Sequence, residues 1–210
     1  MIFALLPVKS PAHAKQRLSP LLTPDQRERL ARLMYEEMLA TLCSSRNLDR
    51  VVVVTSDSAA AHHARRSGAL VFEEQEQRSH SHSADAAALR AMSLGARTVL
   101  LAPIDVPLAT TSEIDELAAM ARPGVVIVPS SDGDGTNALL RTPPDVIESR
   151  FGPGSFEAHW SQAQARGVPV EVARPAGLMF DIDTPEDVAE LLVRAPDCRA
   201  ARFLQCPSTS

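Results

Sequence analysis

The chain has 210 residues, of which 45% are hydrophobic, and carries a formal net charge of −5. This length is sufficient for one large α/β domain, and the acidic balance gives no reason to expect nucleic acid or an anionic membrane as a partner. No apolar run could span a membrane, the N-terminus lacks the basic region of a signal peptide, and three cysteines without metal-ligand spacing predict reduced thiols in a cytoplasmic protein.

In the first half of the chain, short apolar runs alternate with helical patterns. The runs that predict strands are Ile2–Leu6, Arg50–Thr55, Ala69–Phe72 and the start of Val99–Leu108, where the strand stops at Pro103. One predicted helix starts after Thr23, which has an N-cap pattern, and two others cover Ser58–Arg66 and Ala84–Leu94. The polar segments Val8–Leu22 and Glu73–Ser83 are interpreted as loops.

The second half continues the alternation with shorter links. Its predicted strands are Gly124–Pro129, Asn137–Arg141, Val168–Ala173 and Gly177–Phe180, and its helices start at Ser112, at the loop Phe151–Phe156 and after Thr184. We predict one domain over residues 1–194 and a flexible tail over 195–210. The pattern indicates a three-layer α/β fold with a mostly parallel, mixed sheet.

Three aspartates follow predicted strands. Asp105 lies between Pro103 and Pro107, and Asp181 and Asp183 form a D-x-D pair. Ligands bind beyond the carboxyl ends of the strands in open α/β sheets, and carboxylates are suitable ligands for Mg²⁺ or Mn²⁺. The alternatives are that Asp105 closes a turn and that Asp183 caps the last helix.

The loop after the first strand is basic. Lys9, Lys15 and Arg17 lie within it, and a loop of this kind suits the oxygens of a polyphosphate. A solvated surface loop is the alternative. The chain has neither a P-loop nor a G-x-G-x-x-G pattern, so the two common nucleotide folds are not supported.

Two glycine-bearing segments are weaker candidates for ligand contact. Thr136 and Asn137 follow a glycine-rich turn, and Gly152 and Ser155 precede a predicted helix whose backbone N–H groups could face an anion. Both segments could equally be ordinary turns. The H-x-H of the Glu73–Ser83 loop lacks further zinc ligands and is interpreted as part of a mobile loop.

Six motifs then combine in order along residues 1–193. They are LPVK at Leu6–Lys9, KQRLSPLL at Lys15–Leu22, PIDVPL at Pro103–Leu108, GDGTNALL at Gly133–Leu140, FGPGSF at Phe151–Phe156 and DIDTPED at Asp181–Asp187. In these motifs the chain resembles the CofC/FbiD family, guanylyltransferases of deazaflavin coenzyme F-420 biosynthesis that are related to MobA-like nucleotidyltransferases.

The resemblance implies a nucleotide-diphospho-sugar-transferase-like, Rossmann-like fold and transfer of GMP from GTP to 2-phospho-L-lactate, phosphoenolpyruvate or 3-phospho-D-glycerate. The product would pass to the next enzyme of the pathway, and a homodimer is compatible with the family. By position, the resemblance gives Mg²⁺ to Asp105, Asp181 and Asp183. The other implied roles are catalysis for Lys9, Lys15, Arg17 and Asp105, nucleotide binding for Leu6, Pro7, Val8 and Lys9, and acceptor binding for Thr136, Asn137, Gly152 and Ser155.

The chain departs from the family pattern in one segment. The L-N pair that the family associates with the nucleotide base is replaced by Ser81–Asp85. We predict that Ser83 and Asp85 contact guanine, because a carboxylate accepts hydrogen bonds from the ring N–H and the exocyclic amine. The alternatives are a molybdopterin-type nucleotidyltransferase, a D-x-D glycosyltransferase, and a non-catalytic nucleotide-binding protein.

Overall fold

A computed structural model describes residues 1–9, 15–74 and 79–206. Its sheet has the strand order β3-β2-β1-β4-β6-β5-β7, in which β6 runs antiparallel to both of its neighbours and the other pairs are parallel. The strands are β1 (Ile2–Val8), β2 (Arg50–Thr55), β3 (Leu70–Glu73), β4 (Thr98–Leu101), β5 (Gly124–Pro129), β6 (Thr136–Thr142) and β7 (Val170–Val172). The predicted mostly parallel, mixed sheet is confirmed.

Helices cover both faces of the sheet. They are α1 (Pro24–Cys43), α2 (Ser58–Arg66), α3 (His80–Ser93), α4 (Thr111–Ala119), α5 (Ser155–Ala165), α6 (Ala176–Met179), α7 (Pro185–Arg194) and α8 (Arg199–Gln205), with a 3-10 turn at Gln16–Leu18. One apolar core packs α1, α2 and α4 against the sheet, and a second packs α3 and α5 against the other face. No helix in the described ranges is long and apolar enough to cross a membrane.

Local sequence signals explain where the longest elements begin. Thr23 and Gln26 form a reciprocal capping box at the start of α1, and Thr184 and Asp187 do the same for α7. The strand β2 is a run of β-branched residues buried on both faces, as expected in the centre of a parallel sheet. Thr184 is therefore the cap of α7, and Asp183 is free for another role.

Element boundaries agree with the prediction in part. The strand predicted at the start of Val99–Leu108, before Pro103, ends at Leu101, and Asp105 lies in the loop beyond it as predicted. The helix α3 starts at His80, inside the predicted loop, because Ser79 accepts a hydrogen bond from the His82 backbone N–H and caps the helix there.

The segment predicted as a strand over Gly177–Phe180 is mostly the short helix α6. The Gly177 N–H donates to Glu113 at 2.7 Å, and a Cβ at this position would lie 2.2 Å from the Leu108 carbonyl oxygen. Only glycine allows this close approach, which joins α6 to the loop after Asp105.

The predicted flexible tail is also different in the structure. Arg199–Gln205 form α8, in which Ala200 and Ala201 are fully buried in a third core with α1 and α7. Small side chains allow this helix to pack closely on α1. The last four residues of the tail lie outside the described residues.

Candidate active site

A cleft of about 1090 Å³ opens at the edge of the sheet where β1 and β4 end and β6 begins. The position beyond parallel strand ends is where α/β folds bind ligands. The predicted site residues that line it are Pro7, Val8, Lys9, Lys15, Arg17, Asp105, Thr136, Asn137, Gly152, Ser155, Asp181 and Asp183. The structure therefore gathers six motifs from distant parts of the chain at one site.

Lys15 lies at the centre of the acidic side of the cleft. Its ammonium is 2.7 Å from a carboxylate oxygen of Asp105 and 2.7 Å from one of Asp183, and its side chain is only 6% exposed. Its backbone has a φ of 54°, which is uncommon for a residue with a side chain. Both carboxylates therefore hold Lys15 in a conformation that its backbone does not favour.

The charges of these groups stabilise one another. Burial alone would lower the pKa of Lys15, but Asp105 and Asp183 outweigh this effect and raise that pKa above its ordinary value. Burial likewise opposes ionisation of Asp105, and the Lys15 charge outweighs it and lowers the pKa of this carboxyl. Lys15 and Asp105 are therefore both ionised at neutral pH.

Asp181 completes the acidic group. Its carboxylate accepts a hydrogen bond of 3.0 Å from the Asn137 amide. Burial raises the pKa of Asp181, and the negative charges of Asp105 and Asp183 raise it further. Lys15 contacts Asp105 and Asp183, and Asp181 adds a third carboxylate, so the group keeps negative charge that a divalent cation would neutralise.

Within the described ranges, no three His, Cys, Asp or Glu side chains form a ready-made metal cage. The Lys15 ammonium lies between two of the three predicted ligands, at the place that a metal ion would need. The donor chemistry nevertheless suits Mg²⁺, which prefers carboxylate oxygens. The carboxylates therefore fit a hard cation only if Lys15 moves away from at least one of them.

A β-bulge directs two adjacent side chains of β6 to different partners. Val128 pairs with Ala138 but Pro129 pairs with Thr136, so Asn137 is the extra residue. The Asn137 amide donates to the Leu178 and Met179 carbonyls and to Asp181, whereas the Thr136 hydroxyl bonds to His159 of α5. Asn137 thus holds the D-x-D segment in place, and its predicted role in substrate binding stays a prediction.

The opposite wall of the cleft is the turn before α5. Gly152 and Gly154 have φ values of 127° and 68°, which favour glycine, and Ser155 is the first residue of the helix. The Gly154 N–H donates to Asp134 at 2.8 Å, which fixes the turn against the start of β6. The backbone N–H groups of Gly154, Ser155 and Phe156 already donate to Asp134 or Gly152, so the predicted contact of this helix start with an anion stays a prediction.

Three predicted nucleotide-binding residues do not line this cleft. Leu6 is fully buried in the core of the sheet, and Ser83 is buried within α3. The Asp85 carboxylate accepts hydrogen bonds from Arg141 at 2.8 Å and from the Ser149 backbone and hydroxyl. These contacts assign Asp85 to a buried ion pair in place of the predicted guanine contact.

Asp85→Ala should therefore lower the stability of the fold and leave the preference for the nucleotide base unchanged. Arg141 is 1% exposed, and without Asp85 its buried charge would lose its ion-pair partner. We expect a loss of about 3 kcal/mol in the free energy of unfolding, measured by urea denaturation. Unchanged stability combined with altered nucleotide preference would restore the prediction made from the sequence.

His80 is a cleft residue that the sequence patterns did not indicate. It was interpreted as part of a mobile loop, but it begins α3, lines the cleft, and packs edge-on against Phe151 at 4.9 Å between ring centroids. Burial lowers its pKa, and the nearby charge of Lys9 lowers it further. The sequence does contain one signal for this helix start, because Ser79, directly before His80, is a favourable N-cap residue.

Comparison with known proteins agrees with this geometry. Residues 2–207 match the family described as guanylyl transferase CofC like. The chain belongs to this family. It is 39% identical over 194 residues to a phosphoenolpyruvate guanylyltransferase of Sphaerobacter thermophilus, with 92% of this chain and 93% of the relative covered. A 2-phospho-L-lactate guanylyltransferase of Methanothermobacter thermautotrophicus is 32% identical, with 96% and 89% covered.

The fold of this CofC-family chain is that of nucleotidyltransferases. A Desulfovibrio desulfuricans G20 protein assigned to the nucleotide-diphospho-sugar transferases superposes with a TM-score of 0.78 at 16% identity, covering 97% and 94% of the two chains. A nucleotidyl transferase from Methanothermobacter gives a TM-score of 0.63 at 16% identity, with 91% and 95% covered. The resemblance predicted from six motifs is thereby confirmed, and family membership favours guanylyl transfer over the glycosyltransferase alternative.

Proposed function

We propose that this protein joins GMP from GTP to the phosphate of a small phosphorylated carboxylic acid and releases pyrophosphate. The observation that carries the proposal is the group formed by Lys15, Asp105, Asp181 and Asp183 in the cleft of a CofC-family fold. Nucleotidyl transfer needs positioning and charge compensation more than a protein nucleophile. The cleft supplies both, because it is lined by the cations Lys9, Lys15 and Arg17 and by these three carboxylates.

The triphosphate is assigned to the basic side of the cleft. Lys9 and Arg17 are exposed and line the cleft, and Lys15 contacts Asp105 and Asp183. Asp105, Asp181 and Asp183 would hold Mg²⁺, which would offset the charge of the phosphates. Pro7 and Val8, at the end of β1, would form the floor of the nucleotide site.

The reaction is an in-line displacement at phosphorus. A phosphate oxygen of the acid attacks the α-phosphorus of GTP, a new phosphorus–oxygen bond forms, and the bond to the oxygen bridging the α- and β-phosphates breaks. Lys15 and Arg17 would stabilise charge on the pyrophosphate leaving group. Thr136, Gly152 and Ser155 would hold the phosphate and carboxylate of the acid on the opposite wall.

The acid is a three-carbon phosphorylated carboxylate. Phosphoenolpyruvate is the first candidate, because the relatives that are 39% and 38% identical carry that name. 2-Phospho-L-lactate and 3-phospho-D-glycerate share its charged groups and differ only in small substituents. With any of the three, the GMP-linked acid would be an intermediate of coenzyme F-420 biosynthesis and would pass to the next enzyme.

The proposal predicts that pyrophosphate release requires both GTP and one of the three acids. The test is a panel of GTP, ATP, CTP and UTP against each acid with Mg²⁺, scored by pyrophosphate release and by product mass. A GMP-linked acid is the expected product. Transfer of another nucleotide would favour the molybdopterin-type alternative, and saturable GTP binding in calorimetry without turnover would favour a non-catalytic protein.

A further inference from the structure

His159 lies behind the acceptor wall of the cleft, on the buried side of α5. It is 0% exposed, and its ring packs edge-on against Phe151 with 5.3 Å between centroids. Its two nitrogens contact the two parts of the proposed acceptor site. Nδ1 is 3.0 Å from the Thr136 hydroxyl oxygen, and Nε2 is 2.8 Å from the backbone nitrogen of Arg150, which precedes the glycine turn.

These contacts determine which nitrogen carries the proton. The Arg150 backbone N–H can only donate, so Nε2 accepts this hydrogen bond and has no hydrogen. Burial lowers the pKa of His159 to about 4, with a further contribution from the charge of Arg141, so the ring is neutral at physiological pH. Its single ring hydrogen is therefore on Nδ1, which donates to Thr136.

The direction of this bond determines the role of the Thr136 hydroxyl. Because the oxygen accepts from His159, the hydroxyl hydrogen is left to donate elsewhere. Within residues 1–9, 15–74 and 79–206, His159 is the only hydrogen-bond partner of this hydroxyl, and Thr136 lines the cleft. A phosphate or carboxylate offers only acceptor oxygens, so a hydroxyl fixed as a donor matches it.

We propose that His159 is a positioning residue that fixes the Thr136 hydroxyl as a donor to the anionic acid, and that it links this hydroxyl to the glycine turn at Gly152. The inference rests on the proposed function. A buried apolar side chain would fill the same space, but it would make neither hydrogen bond. The imidazole instead connects the two parts of the acceptor site, which come from β6 and from the start of α5.

Two substitutions distinguish the roles of the two ring nitrogens of His159. In His159→Asn the side-chain amide nitrogen can take the place of Nδ1 and keep the donor to Thr136. In His159→Gln the amide oxygen can take the place of Nε2, which keeps the Arg150 contact and loses the donor. We expect His159→Gln to raise the KM of the acid roughly 10-fold, as for loss of a hydrogen bond to a charged group, with the KM of GTP unchanged.

His159→Asn should keep the KM of the acid within about threefold of the wild-type value. In a Thr136→Val background, His159→Gln should have no further effect on this KM. Thermal melts of each variant report folding separately. Equal increases in KM for the Asn and Gln variants, or no increase in either, would overturn the proposal, because a packing role does not distinguish the two nitrogens.

A second measurement does not depend on activity. In protein labelled with ¹⁵N-histidine, a long-range ¹H–¹⁵N spectrum distinguishes the two neutral tautomers, and we expect His159 to carry its proton on Nδ1. A proton on Nε2 would overturn the proposal even in an active enzyme. Conversely, an Nδ1 proton in a protein that transfers GMP to no acid would show that the proposed function fails while the direction of the hydrogen bond is correct.

Discussion

Asp105→Asn should reduce kcat for guanylyl transfer by about 1000-fold and leave the protein folded. The substitution keeps the shape of the side chain and removes its charge. Asp105 is proposed to bind Mg²⁺ and is one of the two carboxylates that hold Lys15. Because Lys15 keeps Asp183 as a partner, the cation is not left buried alone, and the fold should survive.

The loss of activity is measured by pyrophosphate release at saturating GTP and acid, beside a thermal melt of the same sample. Asp197→Asn is a matched control, because it makes the same change at a carboxylate that is 92% exposed and outside the cleft. It should change neither activity nor the melting temperature. An Asp105→Asn enzyme that retains a tenth of the wild-type kcat would contradict the assignment of Asp105 as a metal ligand.

Local patterns in the sequence predicted the parts of the fold that local physics decides. A run of four valines in β2 indicates a strand buried on both faces, and Thr23 with Gln26 fixes the start of α1 through a reciprocal cap. The short apolar run Gly177–Phe180 suits a strand or a helical turn equally well. In the structure this segment is mostly a helical turn, and Gly177 packs there against the carbonyl of Leu108, a residue that is distant in sequence and close in space.

The candidate site likewise has parts that local sequence patterns predict and parts that they do not. The motifs correctly brought Asp105, Asp181 and Asp183 to one cleft, because each follows an element that ends at the same edge of the sheet. They could not show that Asp85 is paired with Arg141, 56 residues away, because a carboxylate within a helix has the same local pattern whatever its partner. His159 was missed for a related reason, since its role depends on two polar partners behind the cleft.

Lys15→Met should have two opposite effects, lower activity and tighter metal binding. The ammonium neutralises Asp105 and Asp183 when no nucleotide is bound, and the proposed reaction needs it at the phosphates. We expect kcat/KM for GTP to fall by about 100-fold or more. We also expect Mn²⁺ to bind more tightly to the nucleotide-free protein, because clustered carboxylates without a counterion attract a cation.

The metal affinity is measured by electron paramagnetic resonance of free Mn²⁺ during titration of the nucleotide-free protein. Lys9→Met is the matched control, because it removes the same charge from an exposed position in the same cleft and should leave nucleotide-free Mn²⁺ binding unchanged. If Lys15→Met binds Mn²⁺ no more tightly than the wild type, then the ammonium and the metal do not compete. The three carboxylates would then hold the cation with Lys15 still in place, and Lys15 would not have to move away from Asp105 or Asp183 for the metal to bind.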